Sequence, residues 1–96
     1  MRDPLSDSEI ENALTDLENW SFDGTRIAKE FKFANFKEAI SFIVRLSFEA
    51  EKANHHPELS NVYNSVTVAL TTHDAGNRVT KLDLDLARAI ESFSWI

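Results

Sequence analysis

Apolar residues recur at helical spacing in three segments of the chain and alternate with polar residues in four shorter segments. The first helical segment opens at Ser6, with Glu9 at the spacing of a capping box and with Leu5 and Ile10 placed as a hydrophobic staple. We predict a helix from here to about Glu18. Its narrow apolar stripe consists of Ile10, Ala13, Leu14 and Leu17.

The second helical segment is apolar over a wider arc. It opens at Asn35, has Glu38 at capping-box spacing, and runs to about Ala53. Its apolar side chains cover roughly two thirds of the circumference, whereas a helix on one sheet needs a stripe of only ~100° or a little more. The excess indicates packing against a sheet and also against a second helix, which another subunit can supply. Enclosure within a monomer is the alternative, although so small a domain has little material for it.

Two strands are predicted on either side of Asp23-Gly24, a pair typical of a tight primed turn in which both central residues have positive φ. They span residues 20–22 and 26–33. Lys29 interrupts the alternation of the second strand, one face of which is formed by Ile27, Phe31 and Phe33.

A second strand pair, residues 61–63 and 66–72, surrounds Asn64-Ser65, and its longer strand has an apolar face formed by Val66, Val68 and Leu70. Thr80 is the predicted N-cap of the last helix, whose core stripe is Leu82, Leu86, Ala89, Ile90 and Phe93. The order α-β-β-α-β-β-α predicts an α+β fold in which a four-stranded antiparallel sheet has helices packed on one face.

Composition limits the class of protein. Ninety-six residues, 43% of them hydrophobic, suit a single domain over residues 1–96. The net charge of −6 disfavours nucleic-acid binding and adhesion to an anionic membrane, and the lack of Cys excludes disulfides and thiolate metal sites. Residues 1–7 lack the apolar region of a secretory signal, and charges interrupt the apolar stretch 36–48, so it is no membrane span. We expect a cytoplasmic protein.

All three histidines fall within two short segments, residues 51–57 and 72–74. His55 and His56 follow the end of the second helix, where Pro57 biases His56 towards an extended backbone, and His73 continues a strand. Imidazole can donate and accept protons near neutral pH, which suits acid–base catalysis. Solvated or backbone-bound loop histidines are the competing interpretation. A zinc site is disfavoured because adjacent histidines diverge and the i, i+4 spacing is absent.

Two acids and one tyrosine are further candidates. Glu51 lies at the border of the apolar arc, where it either orients an imidazole or is an ordinary solvated residue. Asp83 is three residues after Thr80, so a role at the helix N-terminus is more expected than direct catalysis. Tyr63 either lines a cleft for a flat heterocycle or belongs to a half-exposed sheet, as does the strand face formed by Thr67, Ala69 and Thr71.

Together these residues resemble the pterin-4a-carbinolamine dehydratase family. The similarity is a spaced series in two separated segments: Glu51, three residues, His55-His56-Pro57, five residues, Tyr63, nine residues, His73, nine residues and Asp83. It runs from about Leu14 through nearly all of the remaining chain. The flanking matches are Trp20, residues 31–36, Thr72-His73-Asp74 and Leu86-Ala87.

The resemblance implies the fold predicted above, assembled into homodimers or homotetramers. It implies a small-molecule substrate, the 4a-hydroxytetrahydropterin released by aromatic amino-acid hydroxylases, and a quinonoid dihydropterin as product. It also implies that no metal and no organic cofactor is needed.

Carried over by position, the resemblance implies that His55 and His73 are the general acid and base and that His56 chiefly binds substrate. The other matched residues are expected to shape the site or to orient the histidines and the substrate: Glu51, Pro57, Tyr63 and Asp83. Leu59 is a departure, because many members have Trp there, and an aromatic contact with the pterin would be lost. The principal rival is a non-catalytic interaction protein, a transcriptional dimerisation cofactor or an enzyme assembly factor, since some members of the family have such roles.

Overall fold

The computed structural model describes residues 3–93. In this part of the chain three α-helices and four strands follow the predicted order, and a short 3-10 helix precedes the last α-helix. They are α1 (Asp7–Leu14), β1 (Ser21–Phe22), β2 (Ile27–Lys32), α2 (Phe36–Ala53), β3 (Glu58–Val62), β4 (Ser65–Leu70), η1 (His73–Ala75) and α3 (Lys81–Phe93).

The four strands form one antiparallel sheet in the order β1-β2-β4-β3. The predicted α+β class is therefore confirmed. The apolar face of β4 is buried as predicted, together with the inward residues of α2. One aromatic ring joins the layers: the Phe42 centroid lies 4.8 Å from that of Phe31 and 5.0 Å from that of Phe33.

The break in the apolar alternation of β2 coincides with a polar contact. The Lys29 ammonium donates to Oε2 of Glu91 at 2.7 Å and lies 4.7 Å from the Phe31 ring centroid. The same carboxylate oxygen accepts the indole N–H of Trp20 at 2.9 Å. The strand register is continuous here, so Lys29 lies on the same face as Ile27 and Phe31, where the contact with Glu91 of α3 pairs its charge.

The first helix ends earlier than predicted, at Leu14 and not near Glu18. Its capping box is present as expected. Beyond the helix, the amides of Asp16 and Leu17 bond to carbonyls only three residues back, which tightens the chain into successive turns. Leu17 still reaches the core, so the apolar stripe continues through this tighter turn.

Both predicted turns lie one residue away from their observed positions. Phe22 pairs with Ile27, so Gly24-Thr25 is the centre of the first turn, and of these two residues only Gly24 has positive φ. The Asp23 carboxylate instead accepts the amides of Thr25 and Arg26 at 2.9 and 2.7 Å. Because its side chain accepts from the two amides that follow the glycine, Asp23 occupies the position before the two central residues of the turn and is not one of them.

The second turn has its centre at Tyr63-Asn64, because Val62 pairs with Ser65. Tyr63 has φ 51°, and the Asn61 side chain donates to the carbonyls of Tyr63 and Ser65. This asparagine closes the turn from the preceding strand. β3 accordingly begins at residue 58, three positions before its predicted start, and β4 covers residues 65–70.

α3 presents a different row of residues to the core than predicted. Leu86 and Ile90 are buried as expected, but Leu82, Ala89 and Phe93 are only half-buried. The remaining buried positions are Asp83, Leu84 and Ala87. The helix is turned so that Asp83 faces inwards, where polar groups hydrogen-bond to it.

Candidate active site

The end of α2 directs the two adjacent histidines to opposite environments. Asn54 caps the helix in the left-handed region with φ 50°, and the amide of His55 donates to the Ala50 carbonyl at 3.0 Å. This hydrogen bond is typical of an α-helix whose C-terminus is capped by a residue in the left-handed backbone region. The sharp turn buries His55, 6% exposed, and leaves His56 exposed.

His55 contacts a buried carboxylate. Its Nε2 lies 2.5 Å from Oδ1 of Asp83, which is fully buried. The other carboxylate oxygen, Oδ2, accepts the Thr80 amide at 2.9 Å and the Thr72 hydroxyl at 2.7 Å. Because a carboxylate only accepts, Nε2 of His55 carries the proton and Nδ1 is left as an acceptor. Among residues 3–93, no group is hydrogen-bonded to this Nδ1.

His73 is held by the loop that follows it. The chain passes through η1 and then through Gly76 and Asn77, both left-handed with φ 75° and 60°. This reversal brings Oδ1 of Asn77 to 3.1 Å from Nδ1 of His73. With the amide oxygen as acceptor, Nδ1 is the protonated nitrogen and Nε2 is available for proton exchange.

His56 has a carboxylate partner at the surface. Its Nε2 lies 2.6 Å from Oε2 of Glu51, one turn back at the end of α2. Glu51 thus lies where it can orient an imidazole, and its side chain is at the same time 75% exposed to solvent. Each of the three histidines therefore has one ring nitrogen held by a neighbouring side chain.

The three imidazoles line one cleft. Its volume is about 270 Å³, and its lining residues are Asn54, His55, His56, Thr71, His73 and Asp74. A scaffold of a helix end and a strand end presents several titratable groups to one concavity. This cleft can give protons to a small molecule and take protons from it.

An ion pair secures the start of β3 next to the histidine segment. Arg26 donates from Nε to Oε1 of Glu58 at 2.6 Å and from Nη2 to Oε2 at 3.1 Å. These hydrogen bonds hold the pKa of the Glu58 carboxyl below its ordinary value and raise the pKa of Arg26. The pair ties the strand that follows Pro57 to the β1–β2 turn.

None of the four residues predicted to shape the site or orient its groups lines this cleft: Glu51, Pro57, Tyr63 and Asp83. Glu51 and Asp83 instead contact the histidines from outside the lining. Tyr63 is 63% exposed at the far end of β3, where it borders a separate depression on the sheet with Glu30, Lys32 and Thr67. Pro57 is half-buried directly after His56 and does not line the cleft. Leu59 is exposed on the edge strand, also outside the lining.

Sequence reasoning gave no site role to several residues that now have one. Thr72 and Asn77 hold Asp83 and His73, and Asn54 and Asp74 line the cleft. Thr72 appeared only as part of a flanking match. The one local signal for Asn77 is the Gly-Asn pair, which is typical of left-handed turns.

Among residues 3–93, no group of three or more metal-ligating side chains has an arrangement that could hold an ion. Within the same residues, none of the helices combines the length and apolar character needed to cross a bilayer.

Comparisons with known proteins agree with this fold. The family model described as pterin 4 alpha carbinolamine dehydratase matches residues 3–93. Two bacterial relatives carry the name "Putative pterin-4-alpha-carbinolamine dehydratase". The one from Opitutus terrae is 48% identical over 92 residues, 96% of this chain and 95% of the relative. The one from Rhizobium johnstonii is 49% identical over 89 residues, 91% of this chain and 87% of the relative.

Two solved structures have the same fold as this chain. A transcriptional coactivator/pterin dehydratase from Brucella melitensis has a TM-score of 0.88 and 41% identity, covering 94% of this chain and 97% of its own. A pterin dehydratase-like protein described as a RuBisCO assembly factor has a TM-score of 0.62 at 15% identity, covering 76% of this chain and 83% of its own, a likeness of fold alone. This chain belongs to the pterin-4a-carbinolamine dehydratase family.

Proposed function

We propose that this protein is a hydro-lyase that converts 4a-hydroxytetrahydrobiopterin to quinonoid dihydropterin and water in tetrahydrobiopterin recycling. The observation that carries the proposal is the convergence of His55, His56 and His73 on one cleft. The family to which the chain belongs supports the substrate class.

The reaction requires one proton to be given and one to be taken. The bond from C4a to the hydroxyl oxygen breaks as that oxygen is protonated and leaves as water. N5 loses its proton, and the double bond between C4a and N5 forms from the electrons left behind. His55 and His73 are the acid–base pair, each acting through the ring nitrogen opposite the one held by Asp83 or Asn77. Such a group contributes roughly 10²–10⁴-fold to the rate.

The remaining residues would bind substrate. His56, held by Glu51, stands at the open side of the cleft and is suited to hydrogen-bond the pterin ring. The chemistry proposed here uses no metal ion and no organic cofactor. An aromatic amino-acid hydroxylase would supply the substrate, and both enzymes would work in the cytoplasm.

Self-association is part of the proposal. The exposed face of α2 carries four apolar residues at four-residue spacing: Phe36, Ile40, Val44 and Phe48. A contiguous apolar row of this kind marks an interaction surface. A homodimer or homotetramer would bury it, as the wide apolar arc of the sequence predicts.

The same apolar row favours a second candidate function, a non-catalytic docking protein. The names of the two structural neighbours include a coactivator and an assembly factor. A protein that only docks has no evident use for three histidines held by separate partners in one cleft. We therefore place catalysis first.

A direct dehydration assay tests the proposal. Purified protein is mixed with freshly generated 4a-hydroxytetrahydropterin, and loss of the hydroxyl is followed by absorbance against a protein-free control. We expect clear acceleration over the spontaneous reaction. Binding of a pterin without acceleration would instead support a pterin-binding regulator, and neither binding nor acceleration would support the docking protein.

A further inference from the structure

A chain of buried polar side chains extends from His55 into the core. Asp83, Thr72 and Thr80 are each 0% exposed, and His55 is almost as deeply buried. The Thr72 hydroxyl lies 2.7 Å from Oδ2 of Asp83 and 2.7 Å from Oγ1 of Thr80. Three fully buried polar side chains at the edge of a small core are costly unless every bond is made.

The direction of each hydrogen bond follows from counting protons. A threonine hydroxyl has one proton to donate. Thr72 donates its proton to Asp83, so the contact between the two threonines must be donated by Thr80. Thr80 Oγ1 in turn accepts the Leu82 amide at 3.2 Å. All these bonds point towards the carboxylate that holds Nε2 of His55.

The backbone of Thr72 serves the other histidine. Its carbonyl accepts the amides of Ala75 and Asn77, each at 3.1 Å, and its amide donates to the Arg78 carbonyl at 3.0 Å. These bonds close the loop that carries His73 and returns Asn77 to it. Thr72 thus supports one histidine through its side chain and the other through its main chain.

We propose that Thr72 is a positioning residue that fixes the ring tautomer of His55 through Asp83, and the role in turnover rests on the proposed dehydratase function. Without the hydroxyl, Oδ2 of Asp83 keeps only the Thr80 amide as a donor. The carboxylate is then freer to rotate, and its hold on Nε2 of His55 weakens. The acceptor Nδ1 would no longer be the single form presented to the cleft.

The test compares variants that differ in the hydroxyl. Thr72→Val keeps the shape and the main-chain bonds, Thr72→Ser keeps the hydroxyl, and Thr15→Val is the matched control outside the cleft. We measure kcat, KM, the pH profile of kcat, and the His55 tautomer by long-range proton–nitrogen NMR correlations. We expect Thr72→Val to lower kcat roughly tenfold, part of the ~10²–10⁴-fold that a positioned acid or base contributes, with KM nearly unchanged and mixed His55 tautomers. Thr72→Ser should stay within about threefold of the parent.

The tautomer readout decides the proposal independently of turnover. A folded Thr72→Val that keeps the parent's Nε2-protonated His55 overturns it, whatever its activity. If the parent protein has no dehydratase activity, the proposed function fails while the NMR comparison still stands. If Thr72→Val does not fold, Thr72→Ser and Thr72→Ala are compared instead, because they also differ in the hydroxyl. Equal His55 spectra in these two variants overturn the proposal.

Discussion

Nε2 of His55 and Oδ1 of Asp83 lie 2.5 Å apart in the interior, joining residues 28 positions apart in the chain. The same carboxylate uses Oδ2 to accept the Thr80 amide at the start of α3. The sequence left helix capping and direct catalysis as the alternatives for this acid. In the structure one carboxylate oxygen accepts the amide at the start of the helix and the other contacts His55.

Asp83→Asn should impair both catalysis and folding. An amide has one acceptor oxygen and one donor nitrogen, whereas the carboxylate accepts hydrogen bonds at both oxygens. The donor nitrogen of the variant must therefore face a donor, either His55 on one side or the Thr80 amide and Thr72 hydroxyl on the other. We expect kcat to fall about 10²-fold or more and unfolding free energy to fall by ~1–3 kcal/mol. Steady-state kinetics and urea denaturation measure the two effects. Lost stability with unchanged turnover would leave Asp83 only its capping role.

His73→Ala separates catalysis from folding most cleanly. The ring is exposed and its protein hydrogen bond is to the nearby Asn77. We expect unfolding free energy to stay within ~0.5 kcal/mol of the parent while kcat falls roughly 10²–10⁴-fold. Thermal denaturation and turnover are measured on the same preparation. A comparable loss in both would point to a structural histidine.

His55→Ala carries a stability cost that the sequence did not predict. Removal of the ring leaves Oδ1 of the buried Asp83 without its donor, which costs ~1–3 kcal/mol. We still expect turnover to fall by ~10²-fold or more, well beyond what partial unfolding can explain. His55→Gln is the control, because its amide can restore a donor. Recovery of stability but not of turnover in His55→Gln is the expected pattern, and recovery of both would contradict the acid–base role.

Val44→Lys should weaken self-association without affecting the fold. Val44 is 50% exposed in the middle of the apolar row on α2, so a charge there disfavours burial against another copy. Light scattering over a range of protein concentrations should give a smaller mean mass for Val44→Lys than for the parent. Ser41→Lys adds the same charge to the exposed side of α2 and should behave like the parent. A parent that stays monomeric at high concentration would rule out the assembly.

Asp23 predicts a pH dependence of stability. Hydrogen bonds from two backbone amides, that of Thr25 foremost and that of Arg26 next, lower the pKa of this carboxyl. A pKa that is lower in the folded state gives stability that is present above the unfolded pKa and lost as pH falls through the folded one. The stability advantage of the parent over Asp23→Asn should be constant above about pH 5 and should shrink below it. Denaturant titrations at several pH values check this, and a pH-independent difference would be evidence against it.

Features set by neighbouring residues could be predicted, whereas features set by strand register could not. The Ser6–Glu9 capping box is local and was found as predicted. The Asp-Gly pair identifies a turn near Asp23, but the pairing of Phe22 with Ile27 decides which residues form its centre. The register of strand pairing cannot be predicted from the neighbouring residues alone.

The candidate site shows the same division. The family resemblance implied roles for the histidines, but their approach to one another depends on the whole fold. Asp83 was hard to predict because a charged residue on an amphipathic helix normally faces solvent. Tyr63 was expected to help shape the pocket, yet the extended strand β3 separates it from Pro57 and places it in a different depression. An extended strand separates residues that look close in the sequence.

The most direct test of the account is the dehydration rate of the parent protein relative to a His55→Gln/His73→Ala double variant, measured at equal concentrations of folded protein. If these imidazoles exchange the protons, the parent should exceed the double variant by ~10²–10⁴-fold or more, and the variant should approach the spontaneous rate. Equal rates for the two proteins would contradict the central claim.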